Sequence, residues 1–183
     1  VTATAYTLAF TSAPDYETPG SDASSNDYAV TVTISDGTNT GSTISYTVTV
    51  DDTNDQTPTY SSSDTTPNIN EGTTAVETLT VTDTDTGDVN ACTLAGDDSE
   101  DFTCTVSGDS VSLAFTSAPD YDTAGDDDAD NDYLVTVTIS DGTNTGSTVS
   151  YTVTVDDTND QTPTYSGGDT TPSVAEGTTA VDS

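Results

Sequence analysis

The sequence predicts an all-β chain made of tandem Greek-key antiparallel β-sandwich repeats. Three observations carry this. Apolar residues alternate with Thr and Ser along several runs, as in Tyr28-Ala-Val-Thr-Val-Thr-Ile34. Gly, Pro, Asn and Asp interrupt these runs at short intervals. Residues 8–78 return as residues 113–183 with differences at only 15 of 71 positions, an offset of 105 residues. That period is too long for a solenoid repeat and matches one sandwich domain. No apolar pattern of helical period is present.

The elements follow in order. Val1–Phe10, Thr- and Ala-rich with Leu8 and Phe10 at its end, reads as a strand. Thr11–Asp27 is a loop, broken by Pro14, Pro19 and Gly20. Tyr28, Val30, Val32 and Ile34 share one face of a strand, because successive side chains point to opposite sides. A turn begins at Asp36-Gly37, and Ile44, Tyr46, Val48 and Val50 make the returning strand of a hairpin. After an acidic stretch, Ile69 starts a short strand and Val76, Leu79 and Val81 form the next. Ala91–Leu94 and Phe102–Val106 are expected to pair as a hairpin. Val111–Phe115 follows, and Tyr133–Ile139 with Val149–Val155 repeats the earlier hairpin. Seven strands thus fall in one period. The expected organisation is the rear part of a repeat over 1–57, a whole repeat over 58–162, and the front edge of another over 163–183. The pattern opens in mid-repeat, which suggests a piece of a longer protein, with neighbouring sequence or identical chains completing the ends as an array or filament.

Charge narrows the function. The chain has 33 Asp and Glu and no Lys, Arg or His, for a net charge of −33. A compact fold at that density repels itself, so cations must supply the balance. Nucleic acid and anionic membrane surfaces are excluded as partners, because both require basic side chains. No stretch approaches the ~20 apolar residues of a membrane span. Without His, Lys or Arg there is no ordinary general base or oxyanion-stabilising cation, so an enzyme is not expected. Cys92 and Cys104, on neighbouring predicted strands, are placed to form a disulfide in an oxidising compartment; the other reading is two buried thiols.

The acids are clustered. Asp51-Asp52-Thr53-Asn54-Asp55-Gln56-Thr57-Pro58 returns unchanged as Asp156-Asp157-Thr158-Asn159-Asp160-Gln161-Thr162-Pro163. Asp15-Tyr16-Glu17 returns as Asp120-Tyr121-Asp122, and Asp36-Gly37 as Asp141-Gly142. Asp83-Thr84-Asp85 is followed by Asn90, and Glu71 and Glu176 stand alone. Hard oxygen donors without His or free thiolate are the chemistry of calcium, which takes six to eight oxygens. Asp and Asn are also ordinary turn formers, which accounts for Asp36-Gly37 but not for three carboxylates crowded into Asp51–Asp55. Asp127-Asp128-Ala129-Asp130 replaces Asp22-Ala23-Ser24-Ser25 and is read as a solvated loop.

Taken together, LAFTSAPDYE, YAVTVTISDG, VTVDDTNDQTP, NEGTT and VTDTDTGDVN resemble a cadherin repeat, in particular the bacterial cadherin-like repeats of large surface proteins. The resemblance covers essentially the whole chain. It implies three calcium ions at each inter-repeat joint. For the first joint it implies Asp15, Glu17, the Thr53 carbonyl, Asn54 and Asp55, then Asp83, Asp85, the Asn90 carbonyl and Asp141 from the following repeat. For the second it implies Glu71, Asp120, Asp122, Asn159 and Asp160, within the motif that also holds Asp157 and Thr158; Asp52 is the first-joint equivalent of Asp157. Asp36 would serve a preceding joint. The chain departs from the family at Gln56 and Gln161 (usually Asn), at Asp122 (usually Glu), and at Tyr16 and Tyr121 (usually Arg). There is no Trp, so the strand-swapped adhesion of animal cadherins is not carried over.

The expected function is that of a calcium-rigidified structural segment of an extracellular filament or cell-surface adhesin. The alternative is a calcium-dependent carbohydrate- or partner-binding module, with Tyr16, Tyr28 or Tyr46 stacking on a sugar. Thr31/Thr33 and Thr47/Thr49 form an ice-binding-like array, but Thr is also an ordinary exposed strand residue.

Overall fold

The structure is a computed structural model that describes residues 5–86, 90–166, 168 and 170–179. Nine strands are described: β1 (Asp27–Ser35), β2 (Thr40–Thr49), β3 (Asn68–Asn70), β4 (Ala75–Thr80), β5 (Ala91–Ala95), β6 (Phe102–Ser107), β7 (Ser110–Phe115), β8 (Asp132–Ser140) and β9 (Thr145–Asp156). They form a two-stranded sheet β1-β2, a four-stranded sheet β3-β9-β8-β5 and a three-stranded sheet β4-β7-β6. The last two face each other as a sandwich.

Alternation builds the core. On β8, Tyr133, Val135, Val137 and Ile139 are all buried. Tyr151, Val153 and Val155 continue this layer on β9, and Val111, Leu113 and Phe115 of β7 face it from the other sheet. Phe102 stacks on Phe115 at 4.5 Å between ring centroids, and the Tyr133 ring meets Phe115 edge-on at 5.0 Å. Each such side chain contributes about 1.5–3 kcal/mol by leaving water. The outer face of the same hairpin carries hydroxyl pairs instead: Thr136 with Ser150 at 2.9 Å and Thr138 with Thr148 at 3.0 Å.

Three features differ from the sequence reading. First, the sandwich is not wholly antiparallel, since β3 runs parallel to β9, with Ile69 opposite Val155. The preceding segment is anchored on the β8-β9 hairpin and so fixes this direction. Pro58 is fully buried, and the Tyr60 hydroxyl donates to the Val137 carbonyl at 2.8 Å. Thr152 and Thr154 donate their N–H groups to the carbonyls of Thr65 and Pro67, both at 3.0 Å. Second, β5 and β6 are not a hairpin. β5 pairs with β8 and β6 with β7, so the chain crosses between sheets. The crossing is pinned to β8 by Asp98, whose buried carboxylate accepts from Leu134 N at 2.6 Å and Asp127 N at 2.9 Å. Gly96, at φ +114°, passes so close to the Leu134 carbonyl that a Cβ there would sit 2.6 Å from it. Cys92 and Cys104 are disulfide-bonded, with Cα atoms 6.2 Å apart, and the bond joins the two sheets rather than two paired strands.

Third, residues 5–10 are not a strand, although their counterpart becomes β7. β7 is held between β4 and β6, whereas among the described residues no strand pairs with residues 5–10. For the same reason the β1-β2 hairpin, a near copy of β8-β9, keeps its apolar face open: Ile34 is 42% exposed where Ile139 is 0%. Residues 1–4 of the expected first strand lie outside the described residues, as do 180–183 of the last segment.

Candidate metal centre

The segment between β2 and the sandwich gathers acids from three parts of the chain. Glu17 comes from the loop before β1, Asp52 from the linker, and Asp85 from the segment after β4. A carboxylate oxygen of each lies within 4.8 Å of the others. The backbone places them. Asp52 Oδ2 accepts from Thr86 N at 2.7 Å and from Thr86 Oγ1 at 2.6 Å. Asp85 Oδ2 accepts from Gln56 N at 2.7 Å. Asp83 Oδ1 accepts from Asp85 N at 3.3 Å, which holds both acids of the D-x-D on one turn.

In each of these three acids one oxygen serves as a backbone acceptor and the other is left over. Asp52 Oδ1, Asp83 Oδ2 and Asp85 Oδ1 are buried without a hydrogen-bond partner, as are Glu17 Oε1 and Asn90 Oδ1. A buried carboxylate oxygen with no donor is costly. Glu17, Asp52 and Asp85, which converge and each keep one such oxygen, with no nitrogen or sulfur ligand in their group, fit a hard divalent cation. The electrostatics agree. A contact with its own backbone lowers the Glu17 pKa, but desolvation and the Asp52 and Asp55 carboxylates together raise it.

The other expected first-joint residues are placed as follows. Asp15 is exposed; hydrogen bonds from Thr18, whose N–H donates to its Oδ1 at 3.1 Å, lower its pKa. Asn54 is partly buried, while Thr53 and Asp55 are exposed, and Asp55 Oδ1 accepts from Gln56 Nε2 at 2.7 Å. Asp141 is buried and accepts from Thr143 N at 2.7 Å and Asn144 N at 2.6 Å. It reaches the joint through Asn144, which the sequence reading passed over. Asn144 Nδ2 approaches Asp141 Oδ2 at 3.0 Å, Asn54 Oδ1 at 2.6 Å and the Gln56 carbonyl at 2.7 Å. The signal was present in the paired DGTN segments, but Asn there reads as a turn residue. Asp36 makes the same turn: the N–H groups of Asn39 and Thr38 lower its pKa to about 2. It is exposed and stands apart from the described cluster.

The residues expected at the second joint lie near one another. Glu71 Oε1 accepts from Thr158 N at 2.7 Å and Thr158 Oγ1 at 2.9 Å, and Oε2 accepts from Tyr121 N at 2.9 Å. These bonds lower its pKa. Asp122 is raised by desolvation and then by Asp157, Glu71, Asp120 and Asp160, so the five acids share one neighbourhood. Asp120, Asp157, Asn159 and Asp160 are exposed. The counterparts of Asp83 and Asp85 would fall past residue 183.

Asp126, Asp128 and Asp130 also converge, in the loop before β8 that was expected to be solvated. Asp126 is buried and caps this loop: its Oδ2 accepts from Asp130 N at 2.8 Å and its Oδ1 from Asn131 N at 3.4 Å. In the first copy Ser21 Oγ takes this role, accepting from Ser25 N at 2.9 Å. Asn131 Oδ1 is buried without a partner, but so is Asn26 Oδ1, where the three acids are absent. The orphaned amide therefore does not track the acids, and the trio is a turn.

No protein-family model and no curated protein matches the chain. Solved structures do. The structure of a protocadherin gammaB7 EC3-6 cis-dimer aligns over 80% of this chain and 34% of its own, at 25% identity and a TM-score of 0.57. The protocadherin GammaB4 extracellular domain aligns over 74% of this chain and 21% of its own, at 24% identity and a TM-score of 0.54. Protocadherin Gamma B2 extracellular cadherin domains 3-6 align over 80% and 33%, at 24% identity and a TM-score of 0.54. The chain has a cadherin-like β-sandwich fold, and it spans about a third or less of each of these proteins. Among the described residues no helix is long and apolar enough to cross a membrane.

Proposed function

We propose that the chain is a calcium-rigidified structural segment of an extracellular filament or cell-surface adhesin, with repeats divided near residues 57 and 162. One observation carries the reading. Carboxylate oxygens of Glu17, Asp52 and Asp85 lie within 4.8 Å of one another beside the link between the β1-β2 hairpin and the sandwich, and each of the three residues has a buried oxygen without a donor. Bound calcium supplies positive charge that carboxylates on both sides of the link share. Without it, those carboxylates repel and the link is held only by bonds such as Gln56 N to Asp85. Asn54 and Asp141, tied together by Asn144, extend the oxygen set along the joint. Glu71, Asp120, Asp122, Asn159 and Asp160 form one side of a second site of the same kind. The disulfide and the likeness to protocadherin extracellular domains support an extracellular setting.

The test is calorimetric titration of the chain with calcium, with thermal melts in excess calcium, in magnesium and in chelator. Binding with module-type affinity of about 10⁻⁴–10⁻³ M, and a melt raised by calcium more than by magnesium, is expected. Melts that coincide in all three conditions would reduce the clusters to solvated turns.

A further inference from the structure

Asn26 and Asn131 stand one residue before β1 and β8, and each makes the same two bonds. Asn26 Nδ2 donates to the Tyr16 carbonyl at 3.0 Å, and the Asn26 backbone carbonyl accepts from Val50 N at 2.9 Å. Asn131 Nδ2 donates to the Tyr121 carbonyl at 3.1 Å, and its backbone carbonyl accepts from Val155 N at 2.9 Å. Each residue therefore ties together two segments that carry joint acids. The Tyr16 carbonyl belongs to the peptide group that leads directly into Glu17, and Val50 lies two residues before Asp52. In the second copy the corresponding acids are Asp122 and Asp157. There Tyr121 is gripped on both sides, its N–H by Glu71 Oε2 at 2.9 Å and its carbonyl by Asn131.

The arrangement has a cost in both copies. Asn131 is buried, and Oδ1 of each asparagine is buried without a hydrogen-bond partner. An amide that leaves its oxygen unsatisfied in order to make one bond needs a reason. The loop itself does not supply one. Residues 17–26 and 122–131 differ at six of ten positions, and the first loop is fastened by Ser21 where the second uses Asp126. Backbone shape does not supply one either. Asn131 has φ +66°, a region that Asn tolerates, but Asn26 is not among the described residues with positive φ. What the two copies share is the acidic turn that the amide holds.

We propose that Asn26 and Asn131 are positioning residues for the inter-repeat cation sites, each fixing the acid of one loop against the acid that follows the outgoing strand. This deepens the calcium reading above and rests on it for the ion; the bracket itself is made by protein groups alone. Glu17 and Asp52 bring carboxylate oxygens within 4.8 Å of each other, where like charges repel. Without the Asn26 bond, the peptide ahead of Glu17 is free to turn that carboxylate away from Asp52 and into water. Cation binding must then include the cost of bringing it back.

The experiment is an NMR titration of the full chain with calcium, followed at the Thr86 amide, which donates to Asp52. Asn26→Ala removes the donor. Asn26→Asp keeps the shape, replaces the donor by an oxygen and adds negative charge next to Tyr16. Both variants should weaken calcium binding about tenfold. A residue acting as a ligand, or through its charge, would bind calcium more tightly as Asp, and that result overturns the proposal. Glu17→Gln adds a test of coupling: once that carboxylate is removed, Asn26→Ala should cost little more. An equal loss in both backgrounds means a general structural effect and also overturns the proposal.

Two readouts need no calcium. In chelator the Nδ2 protons of Asn26 and Asn131 should exchange more slowly than those of Asn39, whose Nδ2 reaches the exposed Asp36 carboxylate at 3.2 Å. Free exchange at both sites removes the bracket whatever the ion does. The Val50 N–H bonds to the backbone of residue 26, so it should stay protected in both variants; loss of that protection would make the effect unfolding and sink the proposal. The two readings separate. A parent chain that binds no calcium overturns the reading of the joint and this role with it, whereas a parent that binds no better than Asn26→Ala overturns this role alone.

Discussion

The backbone N–H of Gln56 donates to Asp85 Oδ2 across 2.7 Å, joining the linker to the sandwich through an acid whose other oxygen is buried without a partner. One oxygen of Asp85 thus fixes the position of the group and the other is available to a cation. Asp85→Asn keeps the shape and retains an acceptor for Gln56 while deleting the charge. In chelator it relieves repulsion with Glu17 and Asp52, so its melt should equal or exceed that of the parent. In calcium the order should reverse, with the calcium midpoint weakened about tenfold or more. Melts of both proteins across a calcium series check this.

Ile34 and Ile139 occupy equivalent places in near-identical hairpins, yet one is 42% exposed and the other fully buried. Truncation at the two sites should therefore separate. Ile139→Ala should cost about 2–5 kcal/mol by leaving a cavity between the sheets. Ile34→Ala should change stability by about 0.5 kcal/mol or less at concentrations where the chain is monomeric. Denaturant unfolding of both variants measures the difference.

The same pair shows how far the sequence could be read. The strands, their inward faces and the turns follow from alternation and from Gly, Asp and Asn, because those are local properties. Whether an inward face is covered is decided by segments far away in the chain, and residues 5–10 and 110–115 show that a shared pattern does not guarantee a shared structure. The acids around the first link were legible because like charges crowded without a counter-ion demand an explanation. Thr86, Asn144 and Asp98 were not, since each looks like an ordinary turn residue until the partner it holds is known. The parallel pairing of β3 was hidden for a related reason: it depends on where Pro58 and Tyr60 dock.

The Cys92–Cys104 bond ties the edge strand of one sheet to the edge strand of the other, over a sequence separation of 12 residues. Closing a loop of this size restricts the unfolded chain and contributes about 3 kcal/mol. Reduction, or Cys92→Ala with Cys104→Ala, should lower stability by about that amount. The loss should be the same in calcium and in chelator, because the bond lies within the sandwich and not at the link. A loss that appears only in chelator would mean that the bond and the joint are coupled.

Tyr60 gives the alkaline limit. Burial is the main cause that pushes its pKa up to about 12, with the Glu77 carboxylate adding to it against a backbone contact. Its hydroxyl donates to Val137 O at 2.8 Å, a bond that only the neutral phenol can make. Tyr151, in the same layer, is raised as well, again chiefly by burial. An unfolded tyrosine ionises near pH 10, below the folded value, so between about pH 10 and 12 the unfolded chain has lost protons that the folded chain retains. This contribution to stability is whole below pH 10 and declines as pH rises through that window. Tyr60→Phe should lose about 1 kcal/mol at neutral pH through the missing hydrogen bond. It should also fall less steeply than the parent between pH 10 and 12, leaving the part of the slope that Tyr151 and Tyr133, both raised chiefly by burial, contribute. Urea midpoints measured at intervals across that range test both statements, and parallel slopes for parent and variant would remove Tyr60 from the account.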